Sequence, residues 1–395
     1  MISINKKKSI SHWQKHWVLF LLFLIEISKA IVIVQVPILT KNLFEVVVLI
    51  TVFYLGQVLI GPVQGKWSDG SCRKKHLCLA LLVLAVSVFL IPMANASIYL
   101  LGFLLAFAGA FGNADVIGIA MLYDTCTALH FDTKFISKLK KYFSGAFLIL
   151  PPAWVIVSQA GSSPNATTKL IYYSWIALVL STIVSFIIIN DPRDHDKRIA
   201  HKIWPFLLKK CPGWDLFALL CTQISFQLTY LYQDLTKPIY VGRYITTVCA
   251  ISMMIGVGAQ YFLGLKNFMK DSRIILLGMF VSIVALLPAT LLFMGVFVPQ
   301  WLSIFFRYSM ISAGCGIYLP RYFIRYCPSF KSHEQGVFVG IILSIMVVGE
   351  SCASLTLEFM PDLIKAEKLV VLAALVLMLT AFLSFIIACY RRPAR

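Results

Sequence analysis

Blocks of mostly apolar residues, each about as long as a membrane-crossing helix requires, recur along the whole chain. They fall at residues 17–39, 46–65, 76–94, 97–126, 142–160, 170–190, 214–234, 239–264, 273–294, 298–324, 335–357 and 368–390. Only 13% of the 395 residues are charged, whereas a soluble domain carries about 25% charged residues. A soluble chain could not hide this much apolar surface, so we predict an all-α membrane protein with twelve transmembrane helices.

The basic residues are distributed unequally between the two sides of these predicted helices. If the N-terminus is cytoplasmic, the tails and inner loops hold 27 of the 35 Lys and Arg residues, and the outer loops hold five. Cytoplasmic loops are enriched in Lys and Arg, and a missed or invented helix would disrupt the alternation. The distribution therefore supports twelve helices with both termini in the cytoplasm. The net charge of +18 is accordingly interpreted as a topology signal rather than as a nucleic-acid-binding surface.

The central loop, residues 191–213, is the longest connection between strongly apolar helices. It divides the chain into an N-terminal six-helix bundle, residues 1–190, and a C-terminal six-helix bundle, residues 214–395. Within the loop, the stretch 199–210 mixes apolar with basic residues. This mixture predicts an amphipathic helix that lies along the inner membrane surface.

A basic loop between the second and third predicted helices reads GKWSDGSCRK from Gly65 to Lys74. It resembles the signature G-x-x-x-D-[RK]-x-G-[RK]-[RK] that the major facilitator superfamily of secondary transporters carries in this loop. The first glycine, Asp69 and both trailing basic residues match in register, whereas Gly70 replaces a basic residue and Cys72 replaces the second glycine. The twelve helices and the basic central loop extend the resemblance over the whole chain.

The resemblance implies the major facilitator fold and a conformational latch at this loop. Gly65, at a helix end, lets two backbones approach closely. Asp69 can pair with nearby cations or with the N-terminus of a helix. Asp124, at the inner end of the fourth predicted helix, could pair with Arg73, and the resemblance implies that this group and Lys74 hold one conformation. The alternative is that the loop only determines topology.

Other parts of the chain depart from the family pattern. The corresponding loop of the second half keeps Gly264 and Arg273 but has Phe268 where the aspartate would stand, so a second latch is expected to be degenerate. The fourth predicted helix lacks the Arg of the family's common motif. The fifth contains Pro151 and Pro152 without the glycine-rich antiporter signature, so export does not follow from the resemblance.

Ionisable residues deep inside a membrane helix are costly and mark functional positions by default. Here they are Glu26, Lys29, Asp115, Arg307 and Glu350. The resemblance places them on helices that are expected to reach a central cavity. Glu26 and Lys29 share a helix face and could form a purely structural ion pair. The three carboxylates are candidates for carrying a coupled proton, and Glu350 is preferred because Lys29 can hold Glu26 ionised.

Candidate substrate-binding side chains are Lys29, Gln223, Gln227, Tyr230 and Arg307. The seventh predicted helix supplies both glutamines and Tyr230, and in the family this helix often breaks around the substrate. Plain aromatic packing is the alternative for this helix. A guanidinium inside the membrane needs a partner, and for Arg307 this is either Asp234, at the outer end of the same helix seven, or an anionic group on the substrate.

These features predict a secondary active transporter that moves a small organic solute by alternating access and is coupled to protons. Multidrug efflux by proton antiport and a non-transporting sensor on the same fold remain alternatives, and import and export are both open. An enzyme is not favoured, because all seven histidines lie in tails, inner loops or inner helix ends. No Walker sequence supports ATP-driven pumping.

The expected partners are a small-molecule substrate, protons and the lipid bilayer of the plasma membrane, without nucleic acid. The ten cysteines show no spacing typical of a metal site, so neither a metal nor a cofactor is expected. The protein is expected to be a monomer.

Overall fold

The computed structural model describes residues 12–40, 43–127, 144–148, 151–153, 155–157, 159, 164–189, 213–236, 239–265, 269–297, 299–326, 334–359 and 367–391. Every regular element among these residues is helical, and a 3₁₀ turn at Ile91–Ala96 follows the third helix. The α-helices are α1 His12–Leu39, α2 Leu43–Gly70, α3 Arg73–Leu90, α4 Ile98–Gly112, α5 Ala114–Thr127, α6 Pro164–Ile188, α7 Gly213–Thr236, α8 Ile239–Leu265, α9 Asp271–Phe293, α10 Gln300–Tyr326, α11 Gln335–Phe359 and α12 Glu367–Arg391.

Ten helical segments in the described part of the chain are long and apolar enough to cross a membrane. They coincide with ten of the predicted blocks, and the prediction of an all-α membrane protein is confirmed. The block 142–160 contains a shorter apolar helix, Ser144–Val157. The block 214–234 corresponds to α7, which has 24 residues. The amphipathic helix that we predict at 199–210 lies outside the described residues.

The fourth predicted helix is divided into α4 and α5. Asn113 stands between the two, and its side-chain Nδ2 donates a hydrogen bond of 2.6 Å to the carbonyl oxygen of Gln57 on α2. A break inside a membrane is tolerated only where the freed polar groups find partners in the protein. The break exposes the first turn of α5 to the interior, and Asp115 lies in that turn.

The helices pack in two groups. Helices α1–α6 pack mainly against one another, with major contacts of α2 with α4, α3 with α6 and α1 with α6. Helices α7–α12 form the second set, with major contacts of α9 with α10, α8 with α10, α7 with α12 and α7 with α11, although α11 packs more extensively against α2. We call these sets the N-group and the C-group. The largest contact between them joins α2 to α11, and α11 also contacts α5.

The peripheral helices α3, α6, α9 and α12 present large apolar side chains to the outside. Examples are Val86, Phe186, Phe280 and Leu383, which are all exposed. In a bilayer, lipid hydrocarbon covers such faces at no cost, since no water contacts them. These four helices therefore form the outer surface and leave the interior to the remaining ones.

Candidate functional site

A cavity of about 330 Å³ lies between the N-group and the C-group. Its walls come from α1, α2, α5, α7, α8, α10, α11 and the helical residues 144–153, and no described residue of the four peripheral helices reaches it. Most of the lining is apolar. The acidic and basic side chains among the described lining residues are Glu26, Lys29, Asp115 and Glu350. The structure thus brings four of the five predicted intramembrane charges into one space.

Lys29 is the centre of an ion-pair cluster in the N-group. Its Nζ lies 2.9 Å from Asp115 Oδ2 on α5 and also forms an ion pair with Glu26, one turn earlier on α1. Only 10–11% of each of these three side chains is exposed. The lysine stem passes Gly112, where an added Cβ would lie 3.4 Å from its Cγ and Cδ. The small residue at the end of α4 therefore leaves room for the lysine to reach Asp115.

Asp115 has a second interaction that fixes its position. Its Oδ1 accepts a hydrogen bond of 2.7 Å from the backbone N–H of Val116. Because the carboxylate lies in the first turn of α5, it also faces the positive end of that helix dipole. The break in the fourth predicted helix is what creates this helix start at membrane depth.

Glu350 faces the cavity from the opposite side, on α11 of the C-group. A side-chain hydrogen bond joins it to Gln227 on α7. Helices α7 and α11 are close here, since an added Cβ at Gly349 would lie 2.6 Å from Cβ of Gln223. Glu350 is thus held by a neutral amide, whereas the two carboxylates of the N-group are held by a lysine.

Two polar side chains of the C-group line the cavity with unused hydrogen-bonding capacity. Gln223 Nε2 and Ser312 Oγ are buried and have no hydrogen-bond partner among the described residues. A buried amide or hydroxyl without a partner is unfavourable. Both groups are therefore available to a bound solute. The side chain of Tyr230, the third candidate on α7, lies outside the described part.

Arg307 is not brought to this site. Its side chain is buried on α10, its guanidinium carbon lies 4.9 Å from the ring centroid of Tyr308, and it is not among the residues that line the cavity. The side chain of Asp234, its proposed partner, lies outside the described residues.

The residues of the predicted latch meet at one end of the bundle, which we call the latch end. Arg73 is fully buried there, with its NH2 group 2.7 Å from Asp69 Oδ1 and its Nε 2.7 Å from Asp124 Oδ2. Asp69 also accepts hydrogen bonds of 2.9 Å from Gly336 N and 2.8 Å from Val337 N. These N–H groups belong to the start of α11, so Asp69 ties the N-group to a helix N-terminus of the C-group. Lys74 does not join them, because its Nζ lies 4.9 Å from the ring centroid of Phe186 on α6.

Helices α2 and α11 cross backbone to backbone beside this latch. An added Cβ at Gly65 would lie 2.1 Å from Gly336 O, and one at Gly340 would lie 2.5 Å from Gly61 O. Ser344 extends the contact through a hydrogen bond of 3.1 Å to a carbonyl oxygen of α2. Only glycines permit this approach. Farther along, the same two helices separate and line the cavity.

Aromatic side chains close the space between the cavity and the latch end. The rings of Phe147 and Phe323 lie 5.4 Å apart between centroids, and those of Phe323 and Phe338 lie 6.4 Å apart. All three side chains are buried. They come from both halves of the chain, so this plug holds only while the two halves remain together at the latch end.

A second polar cluster joins the two groups at the same closed end. Arg321 on α10 pairs with Asp271 on α9 at 2.7 Å and donates to Gln260 Oε1 on α8 at 2.6 Å. Gln260 Nε2 in turn donates a hydrogen bond of 2.7 Å to Ser144 Oγ, which belongs to the N-terminal half of the chain. We call these four residues the second cluster.

Sequence reasoning did not find the second cluster. The position that corresponds to the latch aspartate holds Phe268, which lies outside the described residues. The signal was nevertheless present as opposite charges at two helix ends, Asp271 and Arg321. The latch has the reverse order of charges. There, Arg73 begins α3 and Asp124 lies near the end of α5.

The fold and the site together define a class of protein. It is a helical membrane protein with a solute-sized cavity between two helix groups. The sequence model of the Major Facilitator Superfamily matches residues 18–351, so the chain belongs to this superfamily, as the loop motif predicts. It is an integral multi-pass protein of the plasma membrane.

The chain is similar to the quinolone resistance protein NorA of Staphylococcus aureus, with 25% identity over 219 residues. The match covers 53% of this chain and 54% of the relative, so the chain spans about half the length of the curated relatives it matches. Solved structures are similar over nearly their whole length. The fucose:proton symporter FucP of E. coli has a TM-score of 0.73 at 13% identity, with 97% of this chain and 99% of that one covered. An outward-facing bacterial homologue of the iron transporter ferroportin has a TM-score of 0.70 at 14% identity, with 95% and 99% covered.

Proposed function

We propose that the protein is a proton-coupled secondary active transporter that moves a small organic solute by alternating access. The observation that carries this proposal is the central cavity, where carboxylates of both helix groups meet. Glu26 and Asp115 come from the N-group and Glu350 comes from the C-group. The two helix groups must move relative to each other during alternating access. A proton or solute that binds in the cavity alters the charge between them, which is what coupling requires.

The proposed topology has twelve helices in two six-helix bundles, residues 1–190 and 214–395, joined by the loop 191–213. Both termini and the latch end are then cytoplasmic, in accordance with the distribution of Lys and Arg. The glycine crossing and the aromatic plug close the cytoplasmic side, so the described state is outward-facing. The Asp69–Arg73–Asp124 latch stabilises this state, and a monomer contains the whole pathway.

Glu350 is the proposed proton carrier. Glu26 and Asp115 share the ammonium group of Lys29, which stabilises their charged forms, whereas Glu350 is hydrogen-bonded to neutral Gln227. In an apolar cavity, a carboxylate that is hydrogen-bonded to a neutral amide takes a proton more readily than two carboxylates that share an ammonium group. Glu26 and Asp115 are the second and third candidates.

Export by proton antiport is the second candidate mode. The similarity to NorA, whose name records quinolone resistance, favours it. The fucose:proton symporter among the similar structures shows that the same fold also performs symport. Transport assays in vesicles of both orientations separate the two directions.

The test uses purified protein in proteoliposomes, with a ligand first found by a thermal-shift screen of metabolites and drugs. We expect Glu350→Gln to abolish accumulation driven by a proton gradient, because the variant cannot carry the proton. Counterflow exchange should persist, since exchange needs no net proton movement. Glu45→Gln, which removes a carboxylate outside the cavity, is the control and should leave both activities intact.

Glu26→Gln and Asp115→Asn are measured beside Glu350→Gln. If all three variants accumulate the ligand against its gradient, proton coupling is wrong and a uniporter replaces it. If a ligand binds but is neither accumulated nor exchanged by the unmodified protein, the fold serves a sensor.

A further inference from the structure

Pro62 leaves one backbone carbonyl of α2 without its helical partner. In an α-helix, Val58 O would accept a hydrogen bond from the N–H four residues later, but a proline has no N–H. Ser344 of α11 supplies a donor instead, since its Oγ donates a hydrogen bond of 3.1 Å to Val58 O. We call Val58 O the freed carbonyl. Its bond to α11 exists only while the two helices lie together.

Asn113 places a second donor beside the freed carbonyl. Its Nδ2 donates a hydrogen bond of 2.6 Å to Gln57 O, the carbonyl just before Val58 O in the chain. The amide also meets Ser344 at Gly61, where an added Cβ would lie 3.3 Å from Asn113 Nδ2 and 3.0 Å from Ser344 Oγ. A side-chain amide has two N–H donors. The Asn113 amide thus stands beside two consecutive carbonyls, one of which accepts from the serine.

The backbone of Asn113 begins the turn that holds Asp115. Asn113 O accepts a hydrogen bond of 3.0 Å from Val116 N, and the same N–H donates to Asp115 Oδ1 at 2.7 Å. The other oxygen, Asp115 Oδ2, lies 2.9 Å from Lys29 Nζ. Asn113 is only 3% exposed, so its side chain cannot move without moving these neighbours. A continuous path of contacts therefore leads from α11 through α2 and the helix break to the ion-pair cluster.

We propose that Asn113 is a positioning residue that links the opening of the latch end to the pairing of Lys29 with Asp115. When α11 leaves α2, the freed carbonyl loses its serine donor. A buried carbonyl without a partner is unfavourable, so the Asn113 amide turns to it from Gln57 O. This turn displaces the start of α5 and draws Asp115 away from Lys29.

Such a linkage acts in both directions. Opening of the latch end weakens the ion pair, and weakening of the ion pair favours the open latch end by the same factor. The inference rests on the proposed function only in that α2 and α11 separate when the latch end opens. It explains how a change of charge at Asp115, on the N-group, alters the contact of α2 with a helix of the C-group.

Hydrogen exchange of the backbone amides at residues 336–337 tests the linkage in the purified full-length protein, without a solute or a proton gradient. Asp115→Asn removes one partner of the ion pair. It should raise the open-to-closed ratio about fivefold in the otherwise unmodified protein, as expected for two coupled sites. The same factor, measured again in variants of the path, then shows which residues carry the linkage.

Pro62→Ala is the most direct of these variants. It returns an N–H to α2 and gives the freed carbonyl a partner in the same helix in both states. Because alanine favours a helix over proline and Asn113 is unchanged, we expect a folded protein. In this background, Asp115→Asn should change the ratio by less than about twofold. Asn113→Leu, which keeps the volume but removes the amide, should reduce the factor in the same way.

Gln14→Leu is the matched control for the loss of an amide. Gln14 Nε2 also donates a hydrogen bond to a backbone carbonyl of another helix, at 2.7 Å to Ile188 O. This bond joins α1 to α6 within the N-group and has no part in the path. The effect of Asp115→Asn on the ratio should therefore be the same in Gln14→Leu as in the unmodified protein.

The outcomes separate this inference from the proposed function. If Asp115→Asn exchanges like the unmodified protein, or if its factor persists after Pro62→Ala, the inference is overturned, and proton-coupled transport is left to its own test. Loss of the factor after Pro62→Ala, but not after Gln14→Leu, supports the linkage even if the proteoliposome assays detect no transport. Should Asn113→Leu not fold, Pro62→Ala decides alone.

Discussion

Asp69 joins the two helix groups at the latch end through its side chain. Its two oxygen atoms accept hydrogen bonds from Arg73 and from the backbone of Gly336 and Val337, and only 5% of its side chain is exposed. Charge-assisted bonds of this kind are about twice as strong as neutral ones. The two bonds from Gly336 and Val337 form only while α2 and α11 touch, so their free energy belongs entirely to the closed latch end.

Asp69→Asn should weaken this closure without preventing expression. The amide keeps the shape of the carboxylate but offers a single acceptor oxygen and no charge, so we expect the open-to-closed ratio to rise about tenfold or more. Hydrogen exchange of the backbone amides at residues 336–337 measures it directly, because Asp69 protects those two N–H groups. Unchanged protection together with unchanged transport would refute the latch.

The residue scale also shows what sequence alone could predict. Charges in apolar helices could be assigned to the interior because lipid excludes them, and four of the five do line one cavity. The pairing of Lys29 with Asp115 could not be foreseen, because it spans 86 positions and depends on how α1 packs against the start of α5. Arg307 was a substrate candidate by the same rule, but its place on α10 directs it away from the cavity lining.

At the scale of elements, the crossing of α2 and α11 depends on the absence of side chains. The loop motif predicts a close approach at Gly65, but nothing in the motif identifies its partners, Gly336 and Gly340, since they lie on a helix of the other half. The boundaries of α4 and α5 were likewise not predictable, because the break at Asn113 is stabilised by Gln57 on another helix.

Gly340→Ala should force the two helices apart. The added Cβ would lie 2.5 Å from Gly61 O and 2.9 Å from Cα of Pro62, both of which are backbone atoms that cannot rotate away. Overpacking of this kind costs about 1–3 kcal/mol, and here the cost falls on the state that is closed at the latch end. We expect faster hydrogen exchange at the start of α11 and slower transport.

Gly258→Ala is the matched control for this change. It introduces the same methyl group on α8, where, among the described residues, no atom outside the adjoining backbone of that helix lies within 4 Å of the added Cβ. Alanine favours a helix over glycine by about 1 kcal/mol, so this variant should be at least as stable as the unmodified protein. A Gly340→Ala variant that matches Gly258→Ala in exchange and transport would show that the crossing does not limit closure.

At the scale of the whole molecule, two polar clusters close the same end with opposite charge order. The latch uses Arg73 between two aspartates and reaches α11 of the C-group. The second cluster uses Arg321 with Asp271 and Gln260 and reaches Ser144 of the N-terminal half. Each half of the chain thus carries a buried arginine network that is hydrogen-bonded to the other half. The family signature could predict only the latch. The second cluster has an arrangement like that of the latch, but different residue types form it, so the signature does not match them.

Two independent ties between the same two bodies should contribute additively to closure. Ser144→Ala removes the acceptor of the Gln260 bond and leaves the pairing of Arg321 with Asp271 in place, so it should raise the open-to-closed ratio about fivefold, as expected for one neutral hydrogen bond. Asp69→Asn raises the same ratio by its own factor, and the double variant should show the product of the two. Exchange at the start of α11 again gives the ratio. The control is Thr380→Ala, which removes an exposed hydrogen bond of 2.8 Å to Val376 O within α12 and should change nothing. If the double variant exchanges no faster than Asp69→Asn alone, the second cluster stabilises the C-group internally and has no part in closing the transport pathway.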